Sequence, residues 1–109
     1  MDIKEAWSVL KTKRLIANHT RPITADQLSA LNATLSEVLT DKALRKDVIR
    51  IMLQLDVLES TKDLTFADAH GILSAAYPDD LTPGVDKPDE GFVQLVRRAE
   101  RAALKEAGE

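Results

Sequence analysis

The chain has no cysteine in 109 residues. That excludes a disulfide framework, a thiolate zinc site and a cysteine nucleophile, and it fits a reducing compartment. No apolar run approaches the roughly 18–20 residues of a membrane-spanning helix. The first residues, Met1-Asp2-Ile3-Lys4-Glu5, lack the basic-then-apolar order of a secretory signal, so a cytoplasmic protein away from membranes is expected. Aromatics are scarce: Trp7, Phe66, Tyr77 and Phe92 are the full set. All four fall on expected core faces, which leaves none for stacking on bases. No Gly-rich phosphate loop, serine elbow or His-Glu-x-x-His occurs. The expectation is a non-enzyme, with no cofactor, no metal and no small-molecule substrate.

Charge of one sign is missing in places. From Ala6 to Ala25 there is no acid, while Lys11, Lys13, Arg14 and Arg21 are cationic. From Asp56 to Glu90 nine acids face only Lys62 and Lys87. The net charge of −3 averages over a basic beginning and an acidic second half. Segregated charge steers encounters more than it shapes folds, so it points to binding surfaces.

What the chain has in quantity is helical punctuation. No alternating apolar run is bounded by hairpin residues, so no strand is expected. Ile23-Thr24-Ala25-Asp26-Gln27-Leu28 reads as a hydrophobic staple around a capping box, and Pro22 stops any helix from upstream. Leu28, Leu31, Leu35, Val38 and Leu39 then share one face. Thr65 caps a helix with Asp68 in its first turn, Phe66, Ala69, Leu73, Ala76 and Tyr77 as inward stripe, and Pro78 as stop. Asp2 and Asp89 open the first and last helices, and Asn18 is placed to end the first in a left-handed conformation. The expected fold is one all-α domain, 1–109, a bundle of about five helices over about 2–17, 24–39, 41–58, 65–77 and 89–107. A long acidic loop at 78–91 holds Asp79, Asp80, Asp86, Asp89 and Glu90.

The third helix stands apart. Leu44, Val48, Ile51, Leu55 and Leu58 make one apolar stripe; Ile49, Leu53 and Val57 make a second on nearly the opposite side. A helix apolar on two faces either runs through the middle of a bundle or offers one face to a partner.

Three constellations bear on chemistry. The twelve residues Asp79–Glu90 have the length of an EF-hand loop, with Gly84 at the turn position. However, Leu81 and Pro83 stand where calcium needs oxygen ligands. His70 shares a helix face with Phe66, Leu73 and Tyr77, which suits a hydrogen-bonded histidine at the core edge. Cations gather in three groups: Lys11, Lys13, Arg14 and Arg21; Lys42, Arg45, Lys46 and Arg50; and Arg97, Arg98, Arg101 and Lys105. Such groups can neutralise phosphates. The helix from Phe66 to Tyr77 nevertheless carries none of the Lys, Arg, Asn or Gln that read a major groove.

Ser60-Thr61-Lys62-Asp63-Leu64-Thr65-Phe66-Ala67-Asp68-Ala69 resembles a short segment of phage-encoded recombination and regulatory proteins, roughly Ser-x-Lys-Asp-Leu-Thr-x-x-Glu-Ala, with Asp68 in place of Glu. The resemblance covers about a tenth of the chain. It implies a phage or mobile-element protein near DNA metabolism and transfers no functional residue.

Two functions follow as expectations. The first is a small interaction protein, a regulator, adaptor or inhibitor, that docks on a protein partner or on itself. It would use the acidic loop and the stripe Ile49, Leu53 and Val57. The second is a DNA- or RNA-binding accessory protein using Lys11, Lys13, Arg14, Arg21, Lys42, Lys46 and Arg50.

Overall fold

Side-chain caps set where the helices start. The computed structural model describes residues 1–79 and 81–108. The helices run as α1 (Ile3–Ile16), α2 (Ala25–Val38), α3 (Arg45–Met52), α4 (Phe66–Ala76) and α5 (Glu90–Ala107). Short 3-10 turns cover Lys42–Leu44 and Thr61–Asp63. The Asp2 carboxylate accepts the Glu5 amide at 2.8 Å, and Asp89 accepts that of Gly91 at 2.9 Å. Both expected Thr caps form complete capping boxes, Thr24 with Gln27 and Thr65 with Asp68. Among the described residues there is no strand, so the fold is all-α, as expected. A single bridge between Pro22 and Thr65 ties the two capping boxes side by side, through Ile23 N–H to the Leu64 carbonyl (3.0 Å) and Phe66 N–H to that of Arg21 (2.8 Å).

Two expected boundaries are corrected. Asn18 is not left-handed. The helix ends at an extended Ala17, and the Asn18 side chain accepts the Thr20 amide at 3.0 Å, an Asx turn that releases the chain toward Pro22. The helix expected over 41–58 is a 3-10 turn followed by only two turns of α3. It stops in a Schellman motif: Leu55 N–H donates to the Arg50 carbonyl (2.9 Å), Gln54 N–H to that of Ile51 (3.1 Å), and Gln54 takes φ 56°. That conformation favours glycine or asparagine, so a glutamine there gives no stop signal in the sequence.

The most buried helix is α4. It packs on both α1 and α2 and touches α5, while α3 packs on α5. Small residues make this possible. Ala67, Ala69, Gly71, Ala75 and Ala76 are all buried, so the helix admits neighbours around a wide arc. A Cβ on Gly71 would lie 2.6 Å from the Leu10 carbonyl oxygen, which shows how closely α1 approaches. Phe92, Leu10, Leu31, Leu35, Ile49, Met52 and Ile72 are the large side chains sealed in the core. Each is worth about 1.5–3 kcal/mol of burial.

One ion pair crosses this contact. Arg14 Nε on α1 donates to Asp68 on α4 at 2.6 Å, and its Nη1 donates to the Leu53 carbonyl at 3.1 Å. The other Asp68 oxygen accepts the Thr65 amide at 3.1 Å.

Arg14→Ala and Asp68→Ala should each lower stability by about 2–3 kcal/mol in urea melts. The double variant should lose less than the sum, because the two act as one unit. Additive losses would show that the pair is not coupled.

Gly71→Ala should destabilise by about 1–3 kcal/mol, reversing the gain of about 1 kcal/mol usual for Gly→Ala within a helix. Gln54→Gly should raise stability by up to about 1 kcal/mol, by relieving the left-handed backbone. Thermal melts of the two variants would check both signs.

Candidate functional site

The second apolar stripe does not exist as a face. Ile49 and Leu53 are core residues, 0% and 3% exposed. Val57 is 71% exposed, but α3 has already ended five residues before it. The Schellman turn breaks the helical register that would have aligned the three. Partner contact through Ile49 and Leu53 is therefore corrected: both pack inside the chain.

The acidic loop divides its carboxylates between structure and surface. Asp86 accepts the Thr82 amide at 2.7 Å and so closes a turn of the loop itself. Asp89 caps α5 and also accepts the Met1 ammonium group at 3.1 Å. That hydrogen bond and the adjacent negative charge raise the pKa of the amine above its ordinary 8.0. Asp79 and Glu90 are exposed, and Asp80 lies outside the described residues. The loop stands over α2, above a depression of about 660 Å³ whose rim includes Asp26, Glu37 and Asp86. Val85, at the loop's edge of that depression, is 81% exposed. Gly84 beside it needs its φ of +82°.

Several cations of the two groups expected to bind nucleic acid are occupied within the fold. Arg14 serves Asp68 and Leu53. Arg50 pairs with Glu106 and lies 3.8 Å from Asp47. Lys11 sits over the Trp7 ring at 4.6 Å, and Arg21 over Phe66 at 5.0 Å. Phe66 in turn stacks on His70, ring centroids 6.3 Å apart, so His70 is held by an aromatic neighbour. Lys42 belongs to the 3-10 turn, so its expected stripe with Lys46 and Arg50 loses register there. Lys42 and Lys46 are exposed, and Lys13 is partly buried.

The third cationic group behaves differently. Arg97, Arg98 and Arg101 are exposed along α5 and, among the described residues, pair with no carboxylate. They flank a trough that the sequence reading missed. Ile3 and Trp7 of α1, Ile51 and Met52 of α3, and Leu95 and Ala99 of α5 line a cavity of about 370 Å³, with Lys4 and Arg98 at its edge. A second depression shares Ile3 and Arg98 and continues past Gln94, Arg97 and Arg101. The carboxylate that lines this second part, Glu100, is engaged elsewhere: one oxygen accepts the amides of Thr40 (3.0 Å) and Asp41 (3.1 Å), pinning the α2–α3 connection to α5. The sequence signal was available in part. Arg98 follows Leu95 by three residues and lies beside Ala99, and that adjacency of cation and apolar face is readable before the fold is known.

Among the described residues no three His, Asp or Glu side chains gather as a metal cluster, and no helix is long and apolar enough to cross a membrane. Comparisons with protein families, with curated proteins and with solved structures returned no match.

The clasp between Met1 and Asp89 gives a pH prediction. Because the folded amine titrates above its unfolded value of 8.0, its contribution is complete below pH 8 and fades as the pH rises through the folded value. Thermal midpoints of the wild type should fall over that range. Asp89→Asn should flatten the part of the curve above pH 8, and an unchanged slope would show that the clasp contributes nothing.

Proposed function

We propose that the chain is a small non-enzymatic interaction protein, a regulator, adaptor or inhibitor, that docks on a protein partner. One observation carries this reading: the carboxylates drawn into the fold are paired, and the arginines beside the apolar trough are not. Asp68, Glu100 and Asp89 each find a cation or backbone amides. Arg98 remains exposed beside Trp7, Ile51 and Leu95, and Arg97 and Arg101 remain exposed along the adjoining depression. An apolar floor supplies affinity when it is covered, and an unpaired charged rim supplies orientation and association rate. Asp79 and Glu90 are the members of the acidic loop available for a second contact. A phage or mobile-element setting is proposed from the Ser60–Ala69 resemblance alone.

The second reading, a nucleic-acid accessory protein, draws on the same free arginines together with Lys42 and Lys46. It is weakened by Trp7 and Phe66, each already covered by a cation of the chain itself.

Affinity capture from the source cells separates the two. The expected result is a protein partner retained after nuclease treatment, whose purified form binds saturably and associates more slowly as salt rises. Capture abolished by nuclease would transfer the function to nucleic acid. The absence of any saturable partner would overturn the docking reading.

A further inference from the structure

We propose that the trough between α1 and α5 receives an acidic amphipathic helix of a protein partner. The proposal rests on the docking reading above and adds the face and the occupant. Along α5 the trough runs from Leu95 to Ala102, about 10 Å at 1.5 Å per residue, or roughly two turns of a helix laid beside it. A helix in a groove presents anchors at i, i+3 or i+4, and i+7, and two turns accommodate two or three of them. Ile3, Trp7 and Ile51, all partly exposed, give those anchors an apolar floor.

Charge then selects the partner. Lys4 and Arg98 edge the apolar trough, and Arg97 and Arg101 line the depression that adjoins it across Ile3 and Arg98. The single acid that lines it, Glu100, is 6% exposed and turned toward the amides of Thr40 and Asp41. The rim therefore carries uncompensated positive charge. Carboxylates flanking the anchors would meet guanidinium groups, which hold them in two-pronged hydrogen bonds. A basic or neutral helix would leave the arginines unpaired and partly desolvated, which disfavours it.

Other occupants fit less well. Nucleic acid would need exposed aromatic faces beside the cations, and Trp7 is part of the wall, with Lys11 over its ring. A second copy of this chain would have to offer its acidic loop. Two of the carboxylates there, Asp86 and Asp89, already accept backbone amides.

Trp7 is the sole tryptophan, so its emission reports on this trough. Selection from a displayed library of random peptides about 16 residues long, enough for about four helical turns, provides the probe. Selected peptides should carry apolar residues at i, i+4 and i+7 with Asp or Glu between them. When synthesised, they should shift the Trp7 emission. Affinity should fall at least about tenfold in Arg97→Glu/Arg98→Glu, whose sites are solvent-exposed, while Lys42→Glu/Lys46→Glu binds as the wild type does. Circular dichroism would confirm that both variants fold. Failure to select any peptide, selected peptides without acids, an unmoved Trp7 signal, or equal binding to the Arg97/Arg98 variant would each overturn the proposal. So would a dimer, or DNA retention, that the same reversal abolishes, since each names a different occupant. A natural partner that binds wild type and the Arg97/Arg98 variant equally would overturn the trough while leaving the docking reading standing.

Discussion

The Asp68 carboxylate ties three parts of this fold together. One oxygen takes the Arg14 guanidinium at 2.6 Å and the other completes the cap of α4 at the Thr65 amide. Arg14 passes the connection on to the Leu53 carbonyl, at the end of α3. Three elements thus meet at one charged node: the most buried helix, the helix packed most closely on it, and the turn that ends the short helix. The node is possible only because α1 lies so near. Gly71 creates that proximity, since any side chain there would collide with the backbone of α1. The ion pair and the glycine therefore depend on each other. Arg14 reaches a carboxylate on a neighbouring helix only across a contact that has no Cβ in the way.

That dependence explains which parts of the architecture were readable in advance. Caps are local: Thr24 with Gln27, and Thr65 with Asp68, lie three residues apart and form as their spacing suggests. The apolar stripe of α5 was equally plain, because Phe92, Leu95, Val96, Ala99 and Ala103 recur at the helical period and are all buried. The most buried helix was not plain. Large apolar side chains on two sides of 41–58 read as a helix that is either central or facing a partner. The most buried helix instead carries alanine and glycine, whose contribution is what they allow neighbours to do. The expected stripe of α4 placed Phe66, Leu73 and Tyr77 inward, whereas all three are only partly buried and Ile72 is sealed in the core. The stop of α3 was illegible for a different reason. A left-handed residue is forecast from Gly or Asn, and this chain uses Gln54.

The candidate surfaces were legible only in part, because charge in a sequence does not say whether it is already neutralised. Arg14, Arg50 and Arg21 read as a basic surface until their partners are known, and then become a salt bridge inside the fold, a pair with Glu106, and a cation over Phe66. The acidic loop loses Asp86 and Asp89 to backbone amides in the same way. Subtracting the engaged groups leaves Arg97, Arg98 and Arg101 along one helix, Lys42 and Lys46 around the start of α3, and Asp79 and Glu90 at the loop.

What remains after that subtraction changes the meaning of the uneven charge. The acid-free stretch from Ala6 to Ala25 read as one candidate binding surface, for nucleic acid. Its role in the fold is largely internal: Arg14 supports the node, and Lys11 and Arg21 cover aromatic rings. Glu100 shows the converse, an acid within a run of arginines whose charge is turned inward to the amides of Thr40 and Asp41. A surface carboxylate at that position would have neutralised its neighbours. Spent on the α2–α3 connection, it leaves the rim of the trough cationic in a protein whose net charge is negative. Long-range attraction would then be weak for an acidic partner approaching the molecule as a whole and strong only near α5. Such a distribution selects by orientation, because a partner gains from electrostatics only when it arrives on the face where the apolar floor is also exposed.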